Sequence, residues 1–313
     1  MIRLLDILFL MVFSGLSAGC DGDPESSHDG GGSGMSSDDV GTDSKHDVDK
    51  DTENNSPRGP CPLDKALGGL EVSVVADFSS ISGVFADGVV PASVPTKEIE
   101  EGDCVLWRRR NPSCNPSCGS NETCDFDGKC VPYPLQQDAG VITINGLSDP
   151  VSIGPLAPTN SYSKVDVTHP AFEPGDLIEM TTTDGYFGVL NMWGVGVEPL
   201  VDQELFWTIE SGQPLTVTWK APAMDTGSQI RLYLNIDQHG NTPLTMICDF
   251  PDTGYAEISA SLIAALITTG VSGKPSGRLT RRTVDSVDVA EGCVEFRIAS
   301  TLKANVQVAE SGQ

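Results

Sequence analysis

The sequence is poor in basic side chains and in long apolar runs. It has 19 Lys and Arg residues against 44 Asp and Glu residues, which gives a formal net charge of −25. Nucleic acids are bound through clusters of Lys and Arg, and an acidic chain is also repelled by anionic head groups. We therefore predict no nucleic-acid partner. The apolar run Ile7–Phe13 has seven residues, too few for a membrane-spanning helix, which needs about 20.

Motifs of familiar enzyme classes are also missing. Four histidines occur, and only His169 and His239 lie beyond residue 60. There is no His-Glu-x-x-His zinc motif. The run Gly270–Lys274 departs from the Gly-x-Ser-x-Gly pattern of serine hydrolases at its last position. We therefore predict no catalytic site, metal or cofactor, and a binding or structural role towards a partner protein or glycan.

Carboxylates keep one enzymatic hypothesis open. Acidic residues are plentiful, and a glycosidase needs only two of them close in space. Asp237, Asp249 and Asp252 fall in adjacent predicted loops, where they could share a Ca²⁺ ion, although turn formation explains them more simply. The alternative function is a secreted hydrolase that uses carboxylates, assisted by Ca²⁺.

The first 20 residues have the pattern of an export signal. Arg3 is followed by the apolar run Ile7–Phe13, by small residues and then by Cys20. This pattern resembles the bacterial lipobox, which implies cleavage after residue 19 and acylation of Cys20. The resemblance implies a lipid anchor in a membrane of the cell envelope, and leaves the choice of membrane open. An ordinary secretory signal followed by a chance cysteine is the competing interpretation.

Residues 20–60 have the composition of a disordered tether. Residues 21–60 contain 11 acids and 3 bases and almost no large apolar side chain. Such a segment cannot bury enough surface to offset its conformational entropy. Its expected root-mean-square span is about 35 Å, enough to hold a domain clear of a membrane.

The chain contains nine cysteines. With Cys20 assigned to lipid attachment eight remain, and an even number in an exported chain predicts four disulfide bonds. We predict the pairs Cys61–Cys104 and Cys248–Cys293, because each pair brackets one β-rich stretch. The eight cysteines are Cys61, Cys104, Cys114, Cys118, Cys124, Cys130, Cys248 and Cys293.

Four of these cysteines form a Cys-x3-Cys-x5-Cys-x5-Cys module within residues 111–134. The intervening residues are turn formers, and Asp127-Gly128 suits a hairpin tip. The spacing resembles half of an EGF-like or follistatin-type module. That resemblance implies the crossed pairs Cys114–Cys124 and Cys118–Cys130, while the residues alone permit three pairings. A zinc knuckle is the competing interpretation, which export disfavours.

The remaining pattern predicts a mainly β fold. Leu215–Trp219 alternates cleanly, and short strand-like runs separated by Gly, Pro and Asp favour a β-sandwich or jelly roll. The spacing of Ile258–Ile267 predicts one short helix, capped by Ser259 and ended by Gly270. The predicted organisation is a signal over 1–19, the tether over 20–60, a disulfide-stapled small β region over 61–110, the Cys-rich module over 111–134 and the larger β-sandwich over 135–313.

Two smaller features have competing interpretations. Tyr186, Trp193 and Trp207 could form a flat sugar-binding platform, and we favour core packing because aromatics are scarce. The basic run Arg108–Arg110 could contact a partner, and we favour a solvated strand end.

The combined arrangement resembles a group of Cys-rich lipoproteins of myxobacteria and related bacteria. The shared features are the lipobox at Cys20, the acidic tether, the Cys-rich module ending in Val131-Pro132, and the strand restart Gly140–Leu147. The resemblance implies a host type and a β-rich body and carries no activity.

Overall fold

The computed structural model describes residues 57–201, 204–236 and 243–309. The signal, Cys20, most of the tether, Asp237 and His239 lie outside these ranges. In the described part the chain is mainly β, as predicted. Its strands are β1 (Ala66–Val74), β2 (Ser79–Phe85), β3 (Thr96–Glu101), β4 (Cys104–Arg108), β5 (Glu122–Cys124), β6 (Cys130–Pro132), β7 (Ile142–Asn145), β8 (Val151–Ile153), β9 (Tyr162–Val167), β10 (Leu177–Thr182), β11 (Asn191–Val195), β12 (Leu205–Ile209), β13 (Leu215–Thr218), β14 (Gln229–Asn235), β15 (Leu244–Pro251), β16 (Tyr255–Ile258), β17 (Ser276–Val289) and β18 (Gly292–Val308).

One ten-stranded sheet links the two ends of the described chain. Nine strands follow the order β3-β4-β15-β14-β17-β18-β1-β2-β9, and β12 pairs with the far end of β18. Strand β1 lies parallel to β18, whereas β4 lies antiparallel to β15. Strands β1–β4, from the predicted small β region over 61–110, therefore belong to the same sheet as strands of the predicted sandwich over 135–313.

The hairpin β17–β18 is the longest feature of this sheet, with strands of 14 and 17 residues. The first half of β17 pairs with β14, and the first half of β18 pairs with β1. Because different strands flank the two halves of the hairpin, each half lies beside its own hydrophobic core. The two cores thus meet near the middle of β17.

The first core is a β-sandwich, in agreement with the sequence-based prediction. The four-stranded sheet β11-β10-β7-β8 supplies alternating buried residues such as Ile142, Ile144 and Met180. These pack with Leu70 and Phe296 from the large sheet in one continuous cluster. The alternation of inward apolar and outward polar residues is what allows the two sheets to face each other.

The second core is covered by the predicted helix, α1 (Ala260–Thr268). The Ser259 hydroxyl accepts a hydrogen bond from the Leu262 amide at 3.3 Å, and Gly270 follows the helix with φ of 88°. Leu262, Ile263 and Leu266 are buried in this core beside residues of β4, β12 to β17. The structure therefore confirms both features that predicted the helix, the Ser259 cap and the apolar spacing.

Two predicted disulfide pairs are wrong. The structure joins Cys61 to Cys293 and Cys104 to Cys248, instead of Cys61–Cys104 and Cys248–Cys293. The cause is the sheet topology. Antiparallel β4 and β15 place Cys104 opposite Cys248, with their Cα atoms 4.0 Å apart, while the segment before β1 runs beside the start of β18. The assumption that each disulfide bond closes one local β-rich stretch is wrong, because both bonds join cysteines that lie far apart in the sequence.

The Cys-rich module contains the crossed pairs Cys114–Cys124 and Cys118–Cys130, which the EGF-like resemblance implies. Strands β5 and β6 form its hairpin, and Gly128 at the tip has φ of 76°. Because these four sulfurs are bonded in pairs, they offer no thiolates for the zinc-knuckle interpretation.

Among residues 57–201, 204–236 and 243–309, no helix is both long enough and apolar enough to cross a membrane.

Candidate functional site

A buried polar seam lies where the two cores meet on β17. Arg282 is the last β17 residue paired with β14, opposite Gln229. Beyond it, Thr283 bonds to the Val195 backbone and Asp285 accepts from the Trp193 amide at 2.8 Å, both in β11. Polar side chains therefore stand where a strand between two cores would ordinarily carry apolar ones.

Arg281 and Asp252 form the most buried ion pair of the seam. Their side chains are 1% and 4% exposed, and Arg281 Nε lies 2.5 Å from Asp252 Oδ2. The guanidinium also donates to the carbonyl oxygens of Glu198 and Lys220 at 2.8 and 2.6 Å. Asp252 also accepts from Trp219 Nε1 at 2.7 Å. Arg281 thereby fastens two loops to β17.

Arg282 shares Asp249 with a second arginine. Arg231 binds both Asp249 carboxylate oxygens, at 2.8 and 2.6 Å, and Arg282 Nη2 lies 3.0 Å from Oδ1. Burial opposes the charge on Asp249, but the hydrogen bonds and charges of the two arginines outweigh it and lower its pKa. The pKa of Arg282 is lowered, by burial first and by repulsion from Arg231 second.

The segment that follows the predicted tether is fixed to the same strand. Arg58 binds Asp285 through Nε and Nη2 at 2.8 and 2.9 Å, and Gly59 donates its amide to the Val284 carbonyl. Burial would raise the pKa of Asp285, but hydrogen bonds from the side chain and amide of Arg58 and from the Trp193 amide lower it. Three residues later, Cys61 is bonded to Cys293. The start of the described chain is therefore held tightly at the seam.

Two open clefts adjoin at the seam and share Gly227 and Gln229 as a common wall. The aspartate cleft, of about 620 Å³, is lined by the acidic residues Asp103, Asp225, Asp249 and Asp252 among others. The arginine cleft, of about 430 Å³, is lined by Arg58, Val195, Thr226, Gln229 and Arg282 among others, with residues 57–60 and 283–284 completing its wall.

Two buried polar atoms of the arginine cleft have no hydrogen-bond partner. They are Arg282 Nε and Thr226 Oγ1, and in the described part of the chain no other buried side-chain nitrogen or oxygen shares this state. The Arg282 side chain is only 5% exposed. A buried donor without an acceptor costs free energy, so both orphan atoms in one cleft point to a missing acceptor.

Within the described residues, Asp249 and Asp252, two of the three aspartates that could share a Ca²⁺ ion, do not form a calcium site. Asp249 and Asp252 do line one cleft, but each is already neutralised and hydrogen-bonded by arginine, and Asp237 lies outside the described residues. Ca²⁺ needs several uncommitted oxygen ligands. The potential three-ligand group found within the described ranges consists of Cys114, Cys118 and Cys130, all of them disulfide-bonded.

The aromatic residues of the predicted platform do not come together, although the Trp193 amide is part of the seam. Trp207 is buried in the second core, whereas Tyr186 is 48% exposed and stacks edge-on against Phe187, so the three aromatics form no platform. His169 lies beyond β9, where its ring contacts Ser79 and the Ala76 carbonyl.

The Arg108–Arg110 run ends β4 with local contacts. Arg108 pairs with Glu98 at 3.0 Å, and Arg110 lies over the Phe126 ring at 3.9 Å. The second contact attaches the end of the strand to the Cys-rich module, so this run has a packing role besides being a strand end.

No protein-family model matches the chain, and no curated protein does. Among solved structures, the chain is similar to a crystal structure of the chicken CNTN1 FN1–FN3 domains. The identity is 10% and the TM-score is 0.19, over 69% of this chain and 66%, just under two thirds, of that chain. At this TM-score the similarity carries no argument about function.

Sequence reasoning missed the seam. The strand-like run Arg278–Val284 contains two adjacent arginines in an acidic chain, and two adjacent strand residues point to opposite faces. A charged residue on each face of a strand is the signal that could have indicated a buried ion-pair seam.

Proposed function

We propose that this protein is a lipid-anchored binding protein of a bacterial cell envelope, with no catalytic role, and that the paired clefts at the seam are its binding site. The lipobox-like pattern ending at Cys20 and the acidic segment after it support the anchor. The four disulfides support an oxidising compartment.

The observation that carries the proposal is the state of the polar groups around the clefts. The aspartates that could serve in acid–base chemistry, Asp249 and Asp252, are bound by arginines, so their carboxylate oxygens are already occupied. The donors Arg282 Nε and Thr226 Oγ1, in contrast, are buried and have no acceptor. Fixed charges with unused donors suit recognition better than proton transfer.

The anchor is tested by acylation of the full-length protein in its host. After metabolic labelling with a fatty acid, we expect the wild-type protein to carry the label and to fractionate with the membranes. The Cys20→Ser variant should lose both the label and the membrane fraction. A variant that still partitions into the membrane would overturn the lipid anchor.

The binding site is tested by photo-crosslinking in living cells. A photoreactive phenylalanine derivative replaces Gln229, which is exposed on the wall shared by the clefts. The matched control carries it at Val165, which is 74% exposed on the edge strand β9. We expect a discrete adduct from position 229 alone. The same adducts from both positions, or none from position 229, would count against the clefts as the binding site.

A further inference from the structure

We infer that the arginine cleft binds a carboxylate group of a protein partner, such as a chain terminus or an acidic side chain. This inference rests on the proposed binding function and names the chemistry that the site selects. The observation behind it is that Arg282 Nε and Thr226 Oγ1, both without partners, lie in the same cleft.

The charge around the cleft selects an anion although the protein as a whole is acidic. Arg231 and Arg282 share the single carboxylate of Asp249, while Arg58 forms a separate pair with Asp285. The Arg231–Asp249–Arg282 group therefore has one positive charge in excess, and Glu295, which is itself paired with Arg297, also attracts Arg282. Because Arg282 is nearly excluded from water, an oxygen ligand that carries a compensating charge is favoured over a neutral one.

The number and kind of donors favour a carboxylate. The Nε–H of Arg282 and the hydroxyl of Thr226 are two unpaired donors, one for each oxygen of a carboxylate. Phosphate offers more oxygens and more charge than these two donors and one excess positive charge can satisfy.

The walls of the cleft favour a peptide over a sugar. Its apolar part consists of Pro57, Pro60, Val195 and Val284, and no aromatic ring lines it. Sugar sites depend on aromatic faces for stacking, whereas an aliphatic wall suits a peptide side chain. Both orphan atoms are covered in the free protein, so we expect the exposed Gln229 side chain at the rim to swing aside on binding.

The test follows the Arg282 Nε–H resonance of the full-length protein by nitrogen-15 NMR, assigned by its loss in Arg282→Gln. The probes are N-acetylglycine, its amide N-acetylglycinamide, galacturonic acid and inorganic phosphate. We expect a saturable downfield shift with N-acetylglycine alone, because only that probe joins a carboxylate to a peptide group. No shift with N-acetylglycine overturns the inference, as does an equal shift with its amide. A shift with galacturonic acid alone would assign an acidic sugar instead, and equal binding of phosphate would remove the selectivity for carboxylates.

Two variants separate a binding role from a structural one. Arg282→Gln should weaken N-acetylglycine binding by about tenfold or more, the value of a charge-assisted hydrogen bond. The matched control is Arg278→Gln, which removes an equal charge from an exposed position of β17 and should leave binding unchanged. Equal losses in both variants would overturn the site.

Thr226→Val keeps the shape of the side chain and removes only the orphan hydroxyl, so it covers the case in which Arg282→Gln does not fold. We expect binding to weaken by about threefold to tenfold while the urea midpoint of the free protein rises. A lower midpoint with unchanged binding would make the hydroxyl structural and refute its role. If these variants lose the probe but keep the crosslinked adduct at position 229, the carboxylate inference fails and the proposed binding function stands.

Discussion

Asp252 is the centre of the seam network, and the Asp252→Asn variant measures how much that network stabilises the fold. Asp252 Oδ1 accepts from Trp219 Nε1 and Arg281 Nη2, and Oδ2 accepts from Ser228 Oγ and Arg281 Nε. Asparagine keeps the size of the side chain but replaces one oxygen by an NH₂ group. Whichever way the amide turns, that group faces an N–H of Arg281, which cannot accept a hydrogen bond.

The expected magnitude follows from the burial of Arg281. With 1% of its side chain exposed, the guanidinium cannot recover its lost counter-charge from water, and the acceptors that remain bonded to it, the asparagine amide oxygen and the backbone carbonyls of Glu198 and Lys220, are uncharged. Removing one partner of a buried ion pair costs about 3–5 kcal/mol. For a denaturant slope of about 3 kcal/mol per molar urea, the unfolding midpoint should fall by about 1–1.7 M.

The assay is urea unfolding followed by circular dichroism with the disulfides intact. Asp166→Asn is the matched control, because Asp166 pairs with Lys164 at 3.0 Å while 82% of its side chain is exposed. Exposed pairs contribute little to stability, so its midpoint should not move. Equal midpoints for the two variants would refute the view that the seam is held by this buried pair.

Three further predictions concern acid stability, a disulfide and packing. Because the folded-state pKa of Asp285 is lowered, its stabilising contribution is complete above about pH 4 and is lost as the pH falls. Asp285→Asn should therefore flatten the acid limb of a plot of melting temperature against pH, and an unchanged limb would contradict this. Replacing Cys61 and Cys293 by alanine opens a 232-residue loop. The added entropy of the unfolded chain should lower the free energy of unfolding by about 5 kcal/mol, measured from urea midpoints. Non-reduced tryptic fragments that join residues 61 and 104 would show that the pairing is wrong. Gly277→Ala places a Cβ 2.4 Å from a buried tryptophan ring and should lower the free energy of unfolding by about 1–3 kcal/mol in urea melts. Gly154→Ala is its control, because the new Cβ has nothing within 4 Å, and its unfolding midpoint should not change.

Local patterns predicted the elements in which one face is buried. Strand β13 (Leu215–Thr218) alternates buried and exposed residues as its sequence indicates, and the cap at Ser259 marks the start of α1. Strand β3 (Thr96–Glu101) was missed because every residue in it is exposed and its sequence has no alternation. It forms an edge of the sheet, where charged side chains protect against pairing with other chains.

The adjacent arginines of β17 are a local signal of the site, but their partners could not be predicted because they come together only through long-range pairing. Arg58 meets Asp285 across 227 residues, and Arg281 meets Asp252 across 29 residues. Neither spacing has a local signature. Composition indicated an acidic surface, whereas the site depends on which arginines meet which carboxylates at the seam.

The attachment of the first described residues has a mechanical consequence. If the chain is pulled from the N-terminal side, as the proposed lipid anchor would do, the load passes from Arg58 into β17 and through the Cys61–Cys293 bond into β18. Force then acts along the central hairpin, whose many ladder hydrogen bonds resist together, and not on the edge strands, which could be peeled one bond at a time. The same segment forms a wall of the arginine cleft, so a bound partner would lie beside the part of the chain that carries the load.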